Sequence, residues 1–354
     1  MNLYVHFPFC RSKCAYCALH SSANHTPEIR AAYSERMAHE ISALSCANAD
    51  KSLSTIYFGG GTPALCDLAP ILDALIPWLG RSAGKTEFTV ELNPLDATPA
   101  FMRQLMRGGV NRISMGVQSL DDATLLAMGR PHTAERVREA WRTIRGEGFE
   151  NAGIDLICGW PGERRGGRVS DAWKRTLDGA CALAPDHCSV YTLILEQGTR
   201  LAQDVASGKC ELPSDDEALA ELAAAEMALA GIGLERYEIS SFAKPGMECR
   251  HNLATWRGED YTGIGDGACS REGSAVSRVI FRLRLLKEGF CPSEAAAQFP
   301  ELSPRVQEWQ VTLDRFSKEG LLLRKPHATG GENPTYLLTT RGTEVCDTIL
   351  AELV

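Results

Sequence analysis

No stretch of this 354-residue sequence reaches 18 uninterrupted apolar residues, which excludes a transmembrane helix of ordinary length. The most apolar helical stretch, Leu219 to Leu234, is broken by Glu221 and Glu226. A basic region ahead of an apolar core is missing at the N-terminus, so no cleaved secretory signal is expected. Positive charge is in deficit, with 37 Lys and Arg against 45 Asp and Glu and a net charge of −8, which disfavours general nucleic-acid binding. A disulfide framework is also missing: the 13 cysteines are odd in number and scattered, and reduced thiols fit a cytosolic compartment. These absences together predict a cytoplasmic protein that is not an integral membrane protein and is sensitive to oxidants.

What is present is a rhythm. Short β-branched or aromatic runs at 3–7, 55–58, 87–92, 112–117, 153–157, 188–195 and 235–240 alternate with helical patterns at 27–44, 68–79, 99–107, 133–145, 169–183 and 215–230. Thr98-Pro99 offers an N-cap with proline in the first turn, and Ser214-x-x-Glu217 reads as a capping box. The alternation predicts an α/β fold on a parallel sheet, open or closed into a barrel. The length suits one large barrel-like domain with a small appendage. From about residue 275 the character changes: helical patterns at 278–288, 304–319 and 340–353 flank strand candidates at 320–324 and 335–338, as in a small helical domain with a two-stranded wing tipped by Gly330-Gly331-Glu332-Asn333-Pro334.

Directly after the first strand candidate stands Cys10-Arg-Ser-Lys-Cys14-Ala-Tyr-Cys17. Three thiolates at this spacing can wrap one metal centre and leave it one protein ligand short. A four-iron cluster ordinarily takes four cysteines, so a three-cysteine site implies an iron open to a small molecule. Two other readings stay open from spacing alone: a closed zinc knuckle completed by His20, or three unrelated buried thiols.

Polar groups recur at the ends of the strand candidates. Gly59-Gly60-Gly61-Thr62-Pro63 follows the second, Glu91-Leu92-Asn93-Pro94 ends the third, Gln118-Ser119 ends the fourth and Asp155 lies within the fifth. In barrels of parallel strands these ends converge on one mouth. Glycines there admit a backbone close to a ligand, and acid and amide groups can bind a ribose or an amino group. Gly263-Ile-Gly265-Asp-Gly267-Ala268 matches a relaxed dinucleotide pattern, but it follows no clear strand and is weak as a nucleotide signal. Arg164, Arg165 and Arg168 form a local basic group that could meet a phosphate or carboxylate, or stand as a solvated loop.

Tyr4-Val-His6-Phe-Pro8-Phe-Cys10 to Cys17, GGGTP at 59–63, ELNP at 91–94, GVQS at 116–119, MGRPH at 128–132, DLICGWPGE at 155–163 and YEISSFA at 237–243 closely resemble the radical S-adenosylmethionine family. Within it the sequence is similar to the oxygen-independent coproporphyrinogen III oxidase-like branch now regarded as heme chaperones, from residue 3 to about 270 and weakly beyond. The resemblance implies a partial (β/α)6 barrel with a small winged-helix-like C-terminal appendage, organised as a core at 1–245, a heme-motif and glycine-rich connector at 246–275 and the appendage at 276–354. It further implies a [4Fe–4S] cluster on Cys10, Cys14 and Cys17 whose open iron takes S-adenosylmethionine. Tyr4 and Tyr16 would line that pocket, Gly60, Gly61 and Thr62 would contact the methionyl end, and Glu91, Gln118, Arg130 and Asp155 would complete it. In this family the low-potential cluster donates an electron that splits the sulfonium, and the protein positions the cofactor.

Two branches differ at identifiable residues. The decarboxylating oxidases carry a further Cys two residues after the third cluster ligand and a long N-terminal extension, whereas Leu19 stands at that position here and nine residues precede Cys10. A His-Asn-x-x-Tyr-Trp heme motif of the chaperone-like branch appears as His251-Asn252-Leu-Ala-Thr255-Trp256, with Thr for Tyr, and Cys269 stands where relatives usually place His. His251, Cys249 or Cys269 could ligate heme iron with Trp256 as a flat apolar wall; the alternative is a loop-capping His251 and a core Trp256. The expected function is heme binding and delivery to a recipient protein, with an electron donor such as a flavodoxin or ferredoxin. Its rival is oxidative decarboxylation of coproporphyrinogen III, and a remoter alternative is a zinc-knuckle interaction protein.

Overall fold

The structure is a computed structural model that describes residues 1–82, 84–162, 169–271, 274–326 and 334–354. The chain divides into two compact units, one of residues 1–235, 242–247 and 261–270, the other of 236–241, 248–260 and 271–354. The stretch 246–275 is thus shared out between them.

In the first unit, strands β1 (Asn2–Phe7), β2 (Thr55–Gly60), β3 (Glu87–Leu92), β4 (Arg112–Gln118), β5 (Asn151–Cys158) and β6 (His187–Thr192) alternate with helices α1 (Pro27–Ala47), α2 (Ala69–Arg81), α3 (Pro99–Arg107), α4 (Asp122–Met128), α5 (Ala134–Gly146) and α6 (Asp171–Leu183). In chain order helices α7 (Arg200–Ala206) and α8 (Asp215–Ala230) follow, then the short strands β7 (Glu235–Arg236) and β8 (Ser241–Ala243), helix α9 (Arg250–Trp256), which belongs to the second unit, and strand β9 (Tyr261–Ile264). The sheet order is β7-β8-β6-β5-β4-β3-β2-β1-β9, with β1 to β6 parallel to one another and β9 parallel to β1. Six βα units on a sheet whose edge strands, among the described residues, do not pair with each other give the parallel sheet that the alternation predicts and the partial barrel that the resemblance implies.

Period-2 alternation gives that sheet two unlike faces. Leu3, Val5, Phe7, Ile56, Phe58, Phe88, Val90, Leu92, Ile113, Met115, Ala152, Ile154 and Val190 join one core with Met37, Ile41, Leu72, Leu75, Trp78, Val137 and Leu177 of the helices. The intervening positions are polar or glycine on every strand: Asn2, Tyr4 and His6; Thr55, Tyr57 and Gly59; Glu87, Thr89 and Glu91; Arg112, Ser114 and Gly116; Asn151, Gly153 and Asp155; His187, Ser189 and Tyr191. A concave polar interior is thereby written into the strands themselves.

Helix starts are well capped. Thr26, Thr98, Asp121, Thr133 and Ser170 each accept a backbone N–H in the first turn of the following helix. Ser214 and Glu217 form a reciprocal capping box: Glu217 N–H donates to Ser214 Oγ at 3.3 Å, and Ser214 N–H to Glu217 Oε2 at 2.9 Å.

The second unit has its own core, in which Val279, Leu283, Phe290, Trp309, Leu313, Phe316, Tyr336 and Ile349 pack together. Helices α10 (Ala275–Ile280), α11 (Pro292–Gln298) and α12 (Val306–Lys318) precede an antiparallel pair, β10 (Leu322–Lys325) with β11 (Thr335–Leu338), and α13 (Thr340–Glu344) and α14 (Cys346–Ala351) close it. The wing is therefore present, while its tip at 330–333 lies outside the described residues.

Several elements depart from the sequence reading. The strand expected over 235–240 is a turn flanked by two short strands, because the Arg236 guanidinium folds back onto the Ile239 carbonyl and Ser240 N–H bonds to the Glu238 side chain. The helix expected over 278–288 stops at Ile280 and tightens into a 3-10 turn at Phe281–Arg284, and the one expected over 340–353 breaks at Val345. The Gly263–Gly267 segment, read as following no clear strand, starts inside one: Gly263 and Ile264 are part of β9, opposite Tyr4 and Val5. Its glycines are demanded by packing, since a Cβ on Gly265 would stand 2.4 Å from Tyr33 Oη and one on Gly267 2.5 Å from the His20 ring.

Candidate active site

The cysteine loop leaves β1 and is held from several sides. Cys10 N–H donates to Ser22 O at 3.0 Å, Ser22 N–H returns to Pro8 O at 2.8 Å, and Ala15 N–H reaches Met128 O at 2.9 Å. Lys13 Nζ closes the loop from within by donating to Leu19 O at 2.6 Å and Ser21 Oγ at 2.8 Å. Arg11 is tied to Asp96 at 2.5 Å, so both cations of the loop are engaged in fixing it. Cys10, Cys14 and Cys17 are free and half-buried.

All three line a cavity of about 770 Å³, together with Tyr16, Gly60, Gly61, Thr62, Glu91, Gln118, Arg130 and Asp155. Eleven of the twelve cluster and S-adenosylmethionine residues read from the sequence therefore meet at one mouth. The twelfth, Tyr4, stands one step behind the wall: its hydroxyl bonds to His6 Nδ1 at 2.9 Å, and its ring lies 6.2 Å from that of Tyr57. Since His6 Nε2 faces the His20 carbonyl at 2.8 Å and must donate there, Nδ1 is left to accept from Tyr4.

Glu91 organises the middle of the cavity. Tyr57 Oη donates to its Oε1 at 2.9 Å and Gly60 N–H to its Oε2 at 3.1 Å. Enclosure by protein, with Asp155 nearby, pushes its carboxyl up to about 7. Asp155 is also raised by enclosure, against the pull of hydrogen bonds from Ser189 and Ser114; Ser114 Oγ lies 3.2 and 3.1 Å from its two oxygens. Gly60 has φ +104°, and a Cβ there would fall 2.6 Å from the His6 ring, while one on Gly61 would fall 2.4 Å from the Phe9 carbonyl. The glycine run is thus required first by the chain's own close packing, and it lines the cavity as a consequence.

Opposite, β4 ends in a kink. Gln118 has φ +68°, Ser119 N–H turns back to Val117 O at 2.9 Å, and the register with β5 shifts between Gly116 and Gln118. Arg130 enters the gap, donating to Gly116 O at 2.7 Å and approaching Cys14 Sγ at 3.6 Å. Its Nε is buried without a partner, a donor waiting for an acceptor. The Tyr16 hydroxyl contacts Cys14 and Arg130, and its ring meets Trp160 edge-on at 5.9 Å. His132, from the same segment as Arg130, is buried on the Val117 carbonyl, and burial beside Arg130 lowers it to about 4.

His251 and Trp256 belong to the other unit, on α9. His251 is 7% exposed. Trp256 carries the Arg284 guanidinium 4.4 Å above its ring and a buried indole Nε1 without a partner. Cys249 is fully buried and Cys269 exposed, so only the latter thiol is open to a ligand as the chain stands. Arg164, Arg165 and Arg168 lie outside the described residues. The sequence reading missed Tyr57 and Ser114, which hold the two carboxylates, and the apolar outer wall of Ile157, Tyr191, Leu193 and Ile194. Alternation along the strands was the signal for the first two.

The donor set fits an iron–sulfur cluster with an amino-acid-bearing cofactor: three thiols, Arg130 and two acidic residues line one cavity, and the buried Arg130 Nε has no partner. The zinc-knuckle alternative does not fit, because its fourth ligand, His20, is not among the described residues that line the cavity with the three thiols. The His20 ring is instead packed against Gly267 and His6.

A sheet of six parallel βα units with three thiols and a glycine turn at one mouth defines a radical S-adenosylmethionine protein, and residues 4–168 match the radical SAM superfamily. The heme chaperone HemW of Mycobacterium tuberculosis is 34% identical over 275 residues, covering 75% of this chain and 68% of the relative; that of Bacillus subtilis is 33% identical over 270 residues, covering 75% and 70%. The chain belongs to the HemW family of radical SAM proteins, whose cofactors are a [4Fe–4S] cluster and S-adenosylmethionine. The structure of coproporphyrinogen III oxidase, HemN, from Escherichia coli shares the fold with a TM-score of 0.78 at 21% identity, covering 99% of this chain and 89% of that one.

Proposed function

We propose that this protein binds heme and delivers it to a recipient protein, holding a [4Fe–4S] cluster on Cys10, Cys14 and Cys17 and S-adenosylmethionine in the adjoining cavity. The observation that carries the reading is the cavity wall, where three half-buried thiols, Arg130, Glu91 and Asp155 line one space, in a chain a third identical to proteins named as heme chaperones. Arg130 would meet a carboxylate of the cofactor, and Glu91, Gln118 and Asp155 would accept from or donate to its amino and hydroxyl groups. When bound, the cluster supplies one electron to a sulfonium ligand. Tyr16 lines the site, with Trp160 edge-on against its ring.

In this reading the protein works in the cytoplasm and a flavodoxin or ferredoxin supplies electrons to the cluster. The stretch 246–275 carries the heme contacts, His251 as iron ligand and Trp256 as a wall. Leu19, 58% exposed on the cysteine loop, separates this reading from coproporphyrinogen decarboxylation, which uses a further Cys at that position.

The test is anaerobic reconstitution with iron and sulfide, then a heme titration followed by absorbance. The wild type takes up both cluster and heme stoichiometrically. Cys14→Ala loses the cluster and S-adenosylmethionine binding and keeps heme, and His251→Ala weakens heme alone. A wild type that assembles its cluster yet takes up no heme, and forms protoporphyrinogen from coproporphyrinogen III under anoxia, overturns the proposal in favour of the decarboxylase.

A further inference from the structure

Beneath the cavity sits a charge that none of the roles above uses. Arg112, the first residue of β4, is 1% exposed in the polar interior of the sheet, level with Thr89 on β3 and Asn151 on β5. Its Nη1 lies 3.4 Å from Thr89 Oγ1. A guanidinium in such a place is costly unless opposite charge meets it. Two residues further along the strands stand Glu91, in register with Ser114, and next Asp155, in register with Gly116 and Ser189. The field of Arg112 acts on both carboxyls and favours their ionised forms.

We propose that Arg112 is a positioning residue of the cofactor site: its buried charge favours the carboxylate forms of Glu91 and Asp155 against their enclosure, and through Glu91 it fixes the glycine turn. The inference rests on the reading that the cavity takes S-adenosylmethionine. Glu91 is the link because both of its oxygens already accept, one from Tyr57 and one from Gly60 N–H, and Gly60 holds the left-handed conformation that starts the turn. A proton on Glu91 turns one acceptor into a donor and sets it against Gly60 N–H or Tyr57 O–H.

The other charges facing the pair do not replace Arg112. Tyr4 on β1 and Tyr57 on β2 face Glu91 as neutral phenols, and Asp155 on β5 acts against its ionisation. Asp155 is faced by Cys188 on β6, which is neutral, and by Arg130, which also favours its ionised form but sits at the cysteine loop, on Gly116 O and Cys14. His187 on β6 is kept neutral by burial and by Arg112 itself. Arg112 is therefore the cation in this layer without a role in the cysteine loop.

The experiment is S-adenosylmethionine binding to the reconstituted protein by calorimetry from pH 6 to 9, for wild type, Arg112→Lys and Arg112→Met. Wild-type affinity falls as pH drops through 7. In R112M the fall moves upward by about one pH unit, so that binding is about fivefold weaker at pH 7 and recovers toward wild type at pH 9. R112K follows the wild-type profile. An R112M profile parallel to wild type at every pH, or R112K behaving like R112M, overturns the inference and leaves the cavity reading standing. A wild type that binds no S-adenosylmethionine overturns the cavity reading, and this inference with it. Should R112M fail to fold, E91Q/R112M decides: recovered cooperative folding supports charge balance, and continued failure overturns it.

Discussion

Glu91 serves two masters, the glycine turn and the ligand, and its enclosure is costly to the fold. The unfolded carboxyl titrates near 4.5 and the folded one near 7, so between those values the native state holds a proton that the unfolded chain releases. Stability contributed by this group is complete below the lower value and is lost as pH rises through the upper one. The stability of Glu91→Gln relative to wild type should accordingly rise by roughly 2–3 kcal/mol between pH 4.5 and 8, measured by urea denaturation of the cluster-free protein. A difference that does not change with pH would show that Glu91 titrates normally. Residues of this kind divide by how visible they are in the sequence. Cys10, Cys14, Cys17, Glu91, Gln118, Arg130 and Asp155 sit in short motifs and were legible. Tyr57, Ser114 and Arg112 sit in no motif, and their roles depend on which residue stands beside them across a strand pair.

The turn after β2 and the loop before α6 show the same lesson at the scale of elements. Gly61 cannot carry a side chain, because the obstruction is backbone, with Phe9 O and Phe7 O 2.4 and 2.8 Å from where its Cβ would stand. Gly61→Ala should cost about 2–4 kcal/mol in chemical denaturation and prevent S-adenosylmethionine binding; a neutral outcome would mean that the turn yields. On α8, the buried Glu221 accepts from Gly159 N–H at 2.8 Å and from Ser170 Oγ and N–H at 2.6 and 3.3 Å. It joins the end of β5 to the N-cap of α6. Glu221→Ala leaves these donors without an acceptor and should destabilise by at least about 3 kcal/mol, whereas Glu221→Gln should recover part of that loss. Strands and long helices were legible from periodicity, and so were the caps Thr98 and Ser214. The short elements α4, α7, α9 and β9 were not, since seven residues or fewer hold too little of a period. The 235–240 run had strand-like residues but turns because of Arg236 and Glu238, which no propensity records.

Across the whole molecule the two units are interleaved in sequence, so neither can be removed by one cut: residues 236–241 and 248–260 belong with the C-terminal unit, and 242–247 and 261–270 with the first. A chain ending at residue 247 loses β9 and uncovers the free edge of β1 directly ahead of the cysteine loop. It should unfold at lower urea than a chain ending at residue 270 and should retain less iron after reconstitution, as read by metal analysis; equal midpoints would show that β9 adds nothing to the sheet. The polar inner face of the sheet has one more effect, on assembly rather than on chemistry. With apolar and polar residues alternating on all six long strands, a slip of one residue in any strand would bring Arg112, Glu91 or Asp155 beneath the helices and turn Ile113, Val90 or Ile154 into the hollow. A slipped strand therefore buries charge and exposes apolar side chains at once, so the groups that face the cavity also specify the register of the sheet that carries them.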